Sequence, residues 1–267
     1  MDWVRPRTLG VIPVRVGSTR LPEKPLHPIL GRPLVEWVWR RAVEMSVFDA
    51  LVVATDSPRV EALCNGIGAE VRLTSSHHPS GTDRVAEVAA HPDYSSFPIV
   101  VNLQGDEPLM EKEHVERAVA LVAADGWEVG TCATPLLDEE KYRDSSAVKV
   151  VVRGDGGALY FSRSPIPFKR DGEVDREDLA SPRFLRHLGL YSFRREALSR
   201  WVALPPSHLE ALEQLEQLRA LEAGIRIGVA LVGPAHGGVD TLADVARVER
   251  ELSSRGADSR MAAGHDG

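Results

Sequence analysis

The stretch TLGVIPVRVGSTRLPEKPLHPILGRPLVEWVWRRAVEMSVFDALVVATD, residues 8–56, decides the fold. It opens on an apolar run, TLGVIPV, breaks at Pro13 into a loop, resumes as the helical pattern LVEWVWRRAVEM and closes on a second apolar run, ALVVATD. Strand-length apolar segments alternating with helical periodicity predict βαβ units. PRVEALCNGIG and EVRLT continue the alternation, and PIVVNLQGD adds a strand ending at Asp106, with a helix expected over roughly 111–124. The fold class is therefore expected to be α/β: a doubly wound, mostly parallel sheet with helices on both faces.

Farther on, VGTCATPL, VKVVVR, ALYFS and HLGLYSF are separated only by turns or loops, so the middle of the chain is expected to form an antiparallel subregion. HLEALEQLEQLRALEAG reads as one helix over about 208–223 ending at Gly224, followed by the strand IRIGVALV and the helix TLADVARVEREL. No repeat and no linker divides the chain, so 1–253 reads as a single domain. The charged, turn-rich segment 168–182, FKRDGEVDREDLASP, is expected to be a mobile loop or insertion, and 254–267 a disordered tail.

With 267 residues and 43% apolar composition the chain can bury a substantial core. A formal charge of −7 argues against a nucleic-acid surface. The N-terminus lacks a signal-peptide apolar core, and no apolar run is long enough to span a bilayer, so the expectation is a protein not inserted in a membrane. Cys64 and Cys132 make neither a disulfide framework nor a zinc motif, which fits a reducing cytoplasm.

In an open α/β sheet ligands bind beyond the carboxyl ends of the strands, which is where the loop 13–25 should lie. It matches neither the phosphate-binding GxxxxGK[ST] pattern nor GxGxxG, so phosphate recognition would rest on the side chains of Arg15, Arg20 and Lys24 and on turn amides. The plain alternative is three solvated surface cations. Asp106, in NLQGDEP, is either a turn residue or a Mg²⁺ ligand at a strand end, and Asp240, in HGGVDTLADVARV, is either a helix cap or a second carboxylate for that metal. Ser80 and Thr82, in HPSGTDRVAEV, can cap a helix or offer hydroxyls to a ligand, with Arg84 in its first turn. Arg163, Arg186, His187 and Tyr191 lie in strand-like apolar surroundings, as satisfied core polar groups or as ligand contacts. Glu213, Glu216 and Gln217 share a helical neighbourhood, on a solvated face or in a site.

In order along the chain, IPVRVGSTRLPEKPL, VVATD, SGTDRVAEV, VNLQGDEP, AVKVV, ALYFSRSPIPF, FLRHLGLYSF, LEQLEQLRALEAG and GVDTLADVARV resemble the CMP-Kdo synthetase (3-deoxy-manno-octulosonate cytidylyltransferase) family over residues 8–252. The resemblance implies a nucleotide-diphospho-sugar transferase-like fold and the reaction of CTP with the acid sugar Kdo to give CMP-Kdo and pyrophosphate, with Mg²⁺. It implies that Arg15 and Lys24 hold the triphosphate and that Asp106 and Asp240 bind the metal, these four forming the catalytic set. Ser18, Thr55, Asp56, Ser80, Gly81 and Thr82 would join them on the nucleotide side. Arg84, Gln104, Arg163, His187, Tyr191, Glu216 and Gln217 would surround the sugar, and Arg20 would brace the loop. A homodimer through the antiparallel region of roughly 140–200, and a cytoplasmic step feeding lipopolysaccharide synthesis, are also implied.

Two departures stand in the opening loop, where the family reads A-R-x-x-S-T-R-L-P-G-K-P. Here Val14 replaces the alanine and Glu23 the glycine. A glycine at that place suits a positive φ, and a carboxylate facing the triphosphate would oppose it. Rival readings are a cytidylyltransferase for sialic acid or an amino-substituted Kdo, a nucleotide-sugar-binding protein without catalysis, and a dinucleotide oxidoreductase, the last opposed by the missing glycine fingerprint.

Overall fold

The computed structural model describes residues 6–17 and 20–263. Strand β1 (Thr8–Val14) leads through a 3₁₀ turn (Lys24–Leu26) and a small hairpin, β2 (Pro28–Ile29) and β3 (Arg32–Pro33), into α1 (Leu34–Met45). Then β4 (Ala50–Thr55), α2 (Pro58–Gly66), β5 (Glu70–Leu73), α3 (Gly81–Ala90), β6 (Ile99–Asn102) and α4 (Lys112–Ala123) continue the alternation. The middle of the chain forms β7 (Val129–Pro135), α5 (Glu139–Arg143), β8 (Lys149–Val152), β9 (Ala158–Ser162), α6 (Arg176–Ala180) and β10 (Leu185–Arg194). Helices α7 (Arg195–Ala203), α8 (His208–Glu213) and α9 (Gln217–Glu222), strand β11 (Ile227–Leu231) and α10 (Leu242–Ala263) complete it.

The main sheet runs β11-β7-β10-β6-β1-β4-β5, with β8 and β9 added beside β10. Pairings β1–β4, β1–β6, β4–β5 and β7–β11 are parallel, whereas β10 runs antiparallel to β6, β7 and β8. Alternation along β1 distributes the core: Leu9 and Val11 join one apolar cluster with α3, α7 and α9, while Ile12 and Val14 join another with α1, α2, α4 and α10. The two-faced α/β sheet and its antiparallel subregion are as expected from the sequence.

The chain winds outward from β1 through β4 to β5, then crosses back to β6 on the other side of β1. The strand order therefore reverses between β1 and β6, and the loops after Val14 and Asn102 open on the same edge of the sheet, the place where open α/β folds bind ligands. Gly105 is required there: a Cβ would lie 2.5 Å from the Pro13 carbonyl oxygen, so only glycine lets this loop lie against the end of β1.

Three local expectations are corrected. The helix expected over 208–223 is two helices, because Gln214 takes a left-handed conformation (φ 53°). Glu213 is drawn inward by the Ser162 hydroxyl and the Arg163 amide, at 2.6 and 2.9 Å, and this contact outweighs helical propensity. The segment 168–182 contains α6, begun by a reciprocal capping box between Asp175 and Asp178. Helix α10 continues to Ala263, so residues 254–263, expected to be disordered, extend a helix already docked on the core, and 264–267 lie outside the described residues.

Candidate active site

Lys24 stands at the junction of three loops. Its Nζ donates to Asp106 Oδ2 at 2.6 Å and to Asp240 Oδ1 at 3.0 Å, joining the loops that follow β1 and β6 to the one that precedes α10. Burial pulls the ammonium pKa down, but Asp106 and then Asp240 more than offset it, so the pKa lies above its ordinary value and Lys24 stays charged. Asp240 is itself held at the start of α10, where Asp244 accepts from the Asp240 and Thr241 amides and from the Thr241 hydroxyl. The Thr241 hydroxyl in turn accepts from the Asp244 amide at 3.2 Å, so the helix-start reading of this segment is also correct, with Thr241 as the cap.

Arg20, expected to brace the loop, pairs with Asp240 Oδ2 at 3.1 Å, a contact that ties the loop to the start of α10. The two Asp240 oxygens thus hold different cations, Lys24 on one and Arg20 on the other. Glu23 has φ 52°, the left-handed geometry expected where relatives carry glycine, and its carboxylate turns away from Lys24 onto Arg59 of α2.

A cleft of about 490 Å³ is lined by Arg15, Arg20, Lys24, Ser80, Gly81 and Arg84, together with Gln104, Asp106, Glu216 and Asp240. Ser80 both caps α3, accepting from the Asp83 amide at 3.2 Å, and lines the cleft, so its two readings coexist. Thr55 is fully buried and does not line the cleft; Asp56 also lies off it, accepting from Arg84 Nη2 at 3.0 Å and so fixing the guanidinium. Arg84, expected beside the sugar, lines this cleft. Ser18 lies outside the described residues.

A second pocket of about 430 Å³ shares Gly81, Gln104, Asp106, Glu216 and Asp240 with the cleft and adds Thr82, Asn102, Glu107, His187, Tyr191 and Gln217. Here the polar inventory is incomplete within the protein. The Tyr191 hydroxyl and Asn102 Oδ1, neighbours across β10 and β6, are buried without a hydrogen-bond partner. Burial pushes the tyrosine well above its ordinary pKa, so the group is a neutral O–H donor.

Burial, then Arg186, depresses His187 to about 3, so its imidazole is neutral. The Thr131 hydroxyl lies 2.7 Å from the Leu190 carbonyl and 2.9 Å from His187 Nε2. Its single proton goes to the carbonyl, which makes Nε2–H the donor to Thr131 and leaves Nδ1 as an acceptor. Gln104 Nε2 donates to the Gly189 carbonyl at 2.5 Å. Burial raises Glu216 against the lowering effect of the Thr82 and Ser80 hydroxyls, and pushes Glu107 up to about 8 with help from Asp106.

Arg163, expected beside the sugar, is not on this wall. Its Nε, Nη1 and Nη2 donate to the carbonyls of Glu213, Ser145 and Gln214, bracing the break between α8 and α9. The sequence reading assigned no role to Asn102 or Glu107. Both lie within NLQGDEP, Asn102 as its first residue at the end of a buried strand, and that was the available signal.

The junction offers a metal the carboxylates of Asp106 and Asp240. Among the described residues no group of three or more His, Cys, Asp or Glu side chains is arranged as a metal cage. Mg²⁺ is usually held by one or two carboxylates, with phosphate oxygens and water completing the shell, and the Asp106–Asp240 pair beside a cationic cleft fits that description.

A cleft rich in fixed cations, opening at a sheet switch point and continuous with a pocket of unpaired polar groups, suits joining a nucleotide phosphate to a hydroxylated acceptor. The class of protein so defined is a nucleotidyltransferase. A family model described as Cytidylyltransferase matches residues 9–227, and the chain belongs to that family. It is 48% identical over 239 residues to a 3-deoxy-manno-octulosonate cytidylyltransferase of Gemmatimonas aurantiaca, covering 90% of this chain and 92% of that one. It is 46% identical to a protein of the same name from Syntrophotalea carbinolica, covering 91% of this chain and 97% of the other. A solved CMP:2-keto-3-deoxy-manno-octonic acid synthetase complexed with CTP superposes with a TM-score of 0.84 at 38% identity, over 93% of this chain and 99% of that one.

Proposed function

We propose that the protein transfers CMP from CTP to the anomeric hydroxyl of 3-deoxy-D-manno-octulosonate, releasing pyrophosphate and activating the sugar for lipopolysaccharide biosynthesis. One observation carries the reading: the unpartnered Tyr191 hydroxyl and Asn102 Oδ1 sit in a pocket that shares Asp106 and Asp240 with the cationic cleft. Buried polar groups left open in the folded protein are costly, and a polyhydroxylated acceptor would satisfy them. The names of the relatives supply the identity of that acceptor.

Arg15 and Lys24 grip the triphosphate, and Lys24, with three donor protons, can hold phosphate while keeping a carboxylate. Ser80 and Gly81 line the nucleotide. On the sugar side His187 Nδ1 accepts from a hydroxyl and Tyr191 donates, while Gln104, Glu216 and Gln217 fix the remaining hydroxyls. Asp106 and Asp240 would hold Mg²⁺, which when bound neutralises charge on the triphosphate during in-line displacement. Arg84 sits across Gly81 from the sugar pocket and is anchored by Asp56, which supports a nucleotide-side role for it.

Pyrophosphate release measured with CTP, Mg²⁺ and, in turn, Kdo, 8-amino-Kdo and sialic acid tests the reading. Release with Kdo is expected. No release with any sugar defeats the enzyme assignment, and release with sialic acid alone defeats the acceptor assignment.

A homodimer through the antiparallel region is part of the same proposal. It is supported by β9, which pairs only with β8, and by Leu159 and Phe168, 55% and 84% exposed. Light scattering should give twice the 29.2 kDa chain mass. No helix among the described residues is long and apolar enough to cross a membrane, and the reaction is placed in the cytoplasm, where CTP is available.

A further inference from the structure

Behind Asp240 lies a third cavity, of about 900 Å³, that the proposed reaction does not use. Arg20 and Asp240 line both this cavity and the nucleotide cleft, so their ion pair is a shared wall. Arg20 is 65% exposed, and an ion pair this open to water is weakly held, so the wall opens at small cost.

Charge inside the cavity is unbalanced. Arg20, Lys141, Arg186, Arg247 and Arg250 line it, against the carboxylates Asp138, Asp240 and Asp244. Each carboxylate is already engaged: Asp138 caps α5, Asp240 holds Lys24 and Arg20, and Asp244 accepts at the start of α10. The arginines are engaged only in part. Arg186 donates one nitrogen to the Ala235 carbonyl at 2.7 Å, and Arg247 donates one to the Gly237 and Gly238 carbonyls at 2.8 and 3.0 Å and pairs through it with Asp244 Oδ1 at 3.4 Å. Their remaining nitrogens, and all those of Arg250, meet no protein acceptor among the described residues. These two anchored guanidiniums, with a third free beside them, offer forked N–H donors to a compact polyanion.

We propose that this cavity is a second anion site, which receives inorganic pyrophosphate as it leaves the nucleotide cleft past Arg20. The inference rests on the reading that the reaction releases pyrophosphate. The cavity meets the cleft at Arg20 and Asp240, so a pyrophosphate displaced from the nucleotide can reach it past that pair, and it also borders the second pocket at Ser146, Gly238 and Asp240. Its size leaves room for a hydrated anion and a path to solvent. A separate product site would keep pyrophosphate from lingering where the next CTP must bind.

Calorimetric titration of inorganic pyrophosphate into the protein saturated with CTP, with no sugar present, tests the proposal. One pyrophosphate per chain is expected to bind although CTP fills the cleft. Arg250→Glu should weaken that binding about tenfold while leaving CTP affinity unchanged, as for loss of one charge-assisted hydrogen bond. Arg186→Gln is the second variant and should act in the same direction. Strict competition between pyrophosphate and CTP, or unchanged pyrophosphate affinity in both variants, overturns the proposal. ATP binding more tightly than pyrophosphate at the same site would make it a nucleotide site and overturn the product assignment. Failure of CTP itself to bind would instead count against the proposed function.

Discussion

Glu23 and Arg59 meet as a two-pronged ion pair on the surface, and that contact turns the one acid of the opening loop away from its neighbour Lys24. Glu23→Gly removes a pair worth about 0–1 kcal/mol and relieves a left-handed residue costing about 1 kcal/mol, so the two effects nearly cancel. The variant should melt within about 3 °C of the parent, with KM for CTP changed less than about threefold. Much tighter CTP binding would mean that Glu23 faces the triphosphate.

Asp106 is held by Lys24 at the mouth of the sugar pocket and is the carboxylate closest to β6. Asp106→Ala should lower kcat by about 10³-fold or more, by the scale of lost electrostatic stabilisation at a reacting centre. Lys24 keeps Asp240, so the stability loss should be only about 1 kcal/mol, a few degrees in Tm. Circular dichroism melts and single-turnover rates separate the two. Near-normal turnover would remove Asp106 from the metal site.

The parts legible in the sequence share a local cause. Buried parallel strands write themselves as apolar runs, and the polar residues immediately after them, Lys24 past β1 and Asp106 past β6, fall at the ligand-binding edge by topology alone. For Asp240 the glycines and the helix start beside it speak first for a cap, and only the family resemblance points to a metal. What stayed hidden depends on partners far along the chain. The i,i+3 spacing of HLEALEQLEQLRALEAG describes an unbroken helix, and nothing local reveals that Ser162 and Arg163 pull Glu213 inward and open the chain at Gln214. For the same reason Arg163 looked like a ligand for an acid sugar, although each of its three nitrogens donates to a backbone carbonyl.

His187 is 9% exposed, and its pKa falls from 6.5 to about 3 in the folded protein. Between those values the unfolded chain binds a proton that the folded chain does not, so stability falls as pH falls across that window, at about 1.4 kcal/mol per pH unit. Glu107, pushed up to about 8, titrates in the opposite sense in both proteins, so the His187 slope is the difference between the urea midpoints of the parent and of His187→Gln from about pH 7 to pH 4. An equally steep fall in the variant would assign the acid sensitivity to other groups.

The sugar pocket presents the carboxylates Asp106 and Asp240, with Glu216 raised by burial and Glu107 pushed up to about 8 and so mostly protonated at neutral pH, and no Lys or Arg among the described residues that line it. An acid sugar entering such a wall meets like charge, whereas CTP enters a cleft that contains Arg15, Arg20, Lys24 and Arg84. Removing Mg²⁺ with EDTA should therefore weaken sugar binding about tenfold or more, and by a larger factor than CTP binding. Calorimetry with each ligand, with and without chelator, makes the comparison. Equal sugar affinity without metal would show that the amide donors of Gln104 and Gln217 are sufficient for its carboxylate.

Tyr191 separates folding from binding most clearly. Its ring is fixed without help from the hydroxyl, stacked on Phe193 with centroids 5.8 Å apart and packed edge-on to Trp201. The hydroxyl, buried and unpartnered, adds a desolvation cost that nothing in the protein repays. Tyr191→Phe keeps the ring and deletes that cost, so the variant should be as stable as the parent or more stable by about 1 kcal/mol. If the hydroxyl waits for a sugar oxygen, KM for the sugar should rise about tenfold while KM for CTP stays unchanged. A fall in Tm with both KM values unaltered would make the hydroxyl structural and leave the pocket without its principal donor.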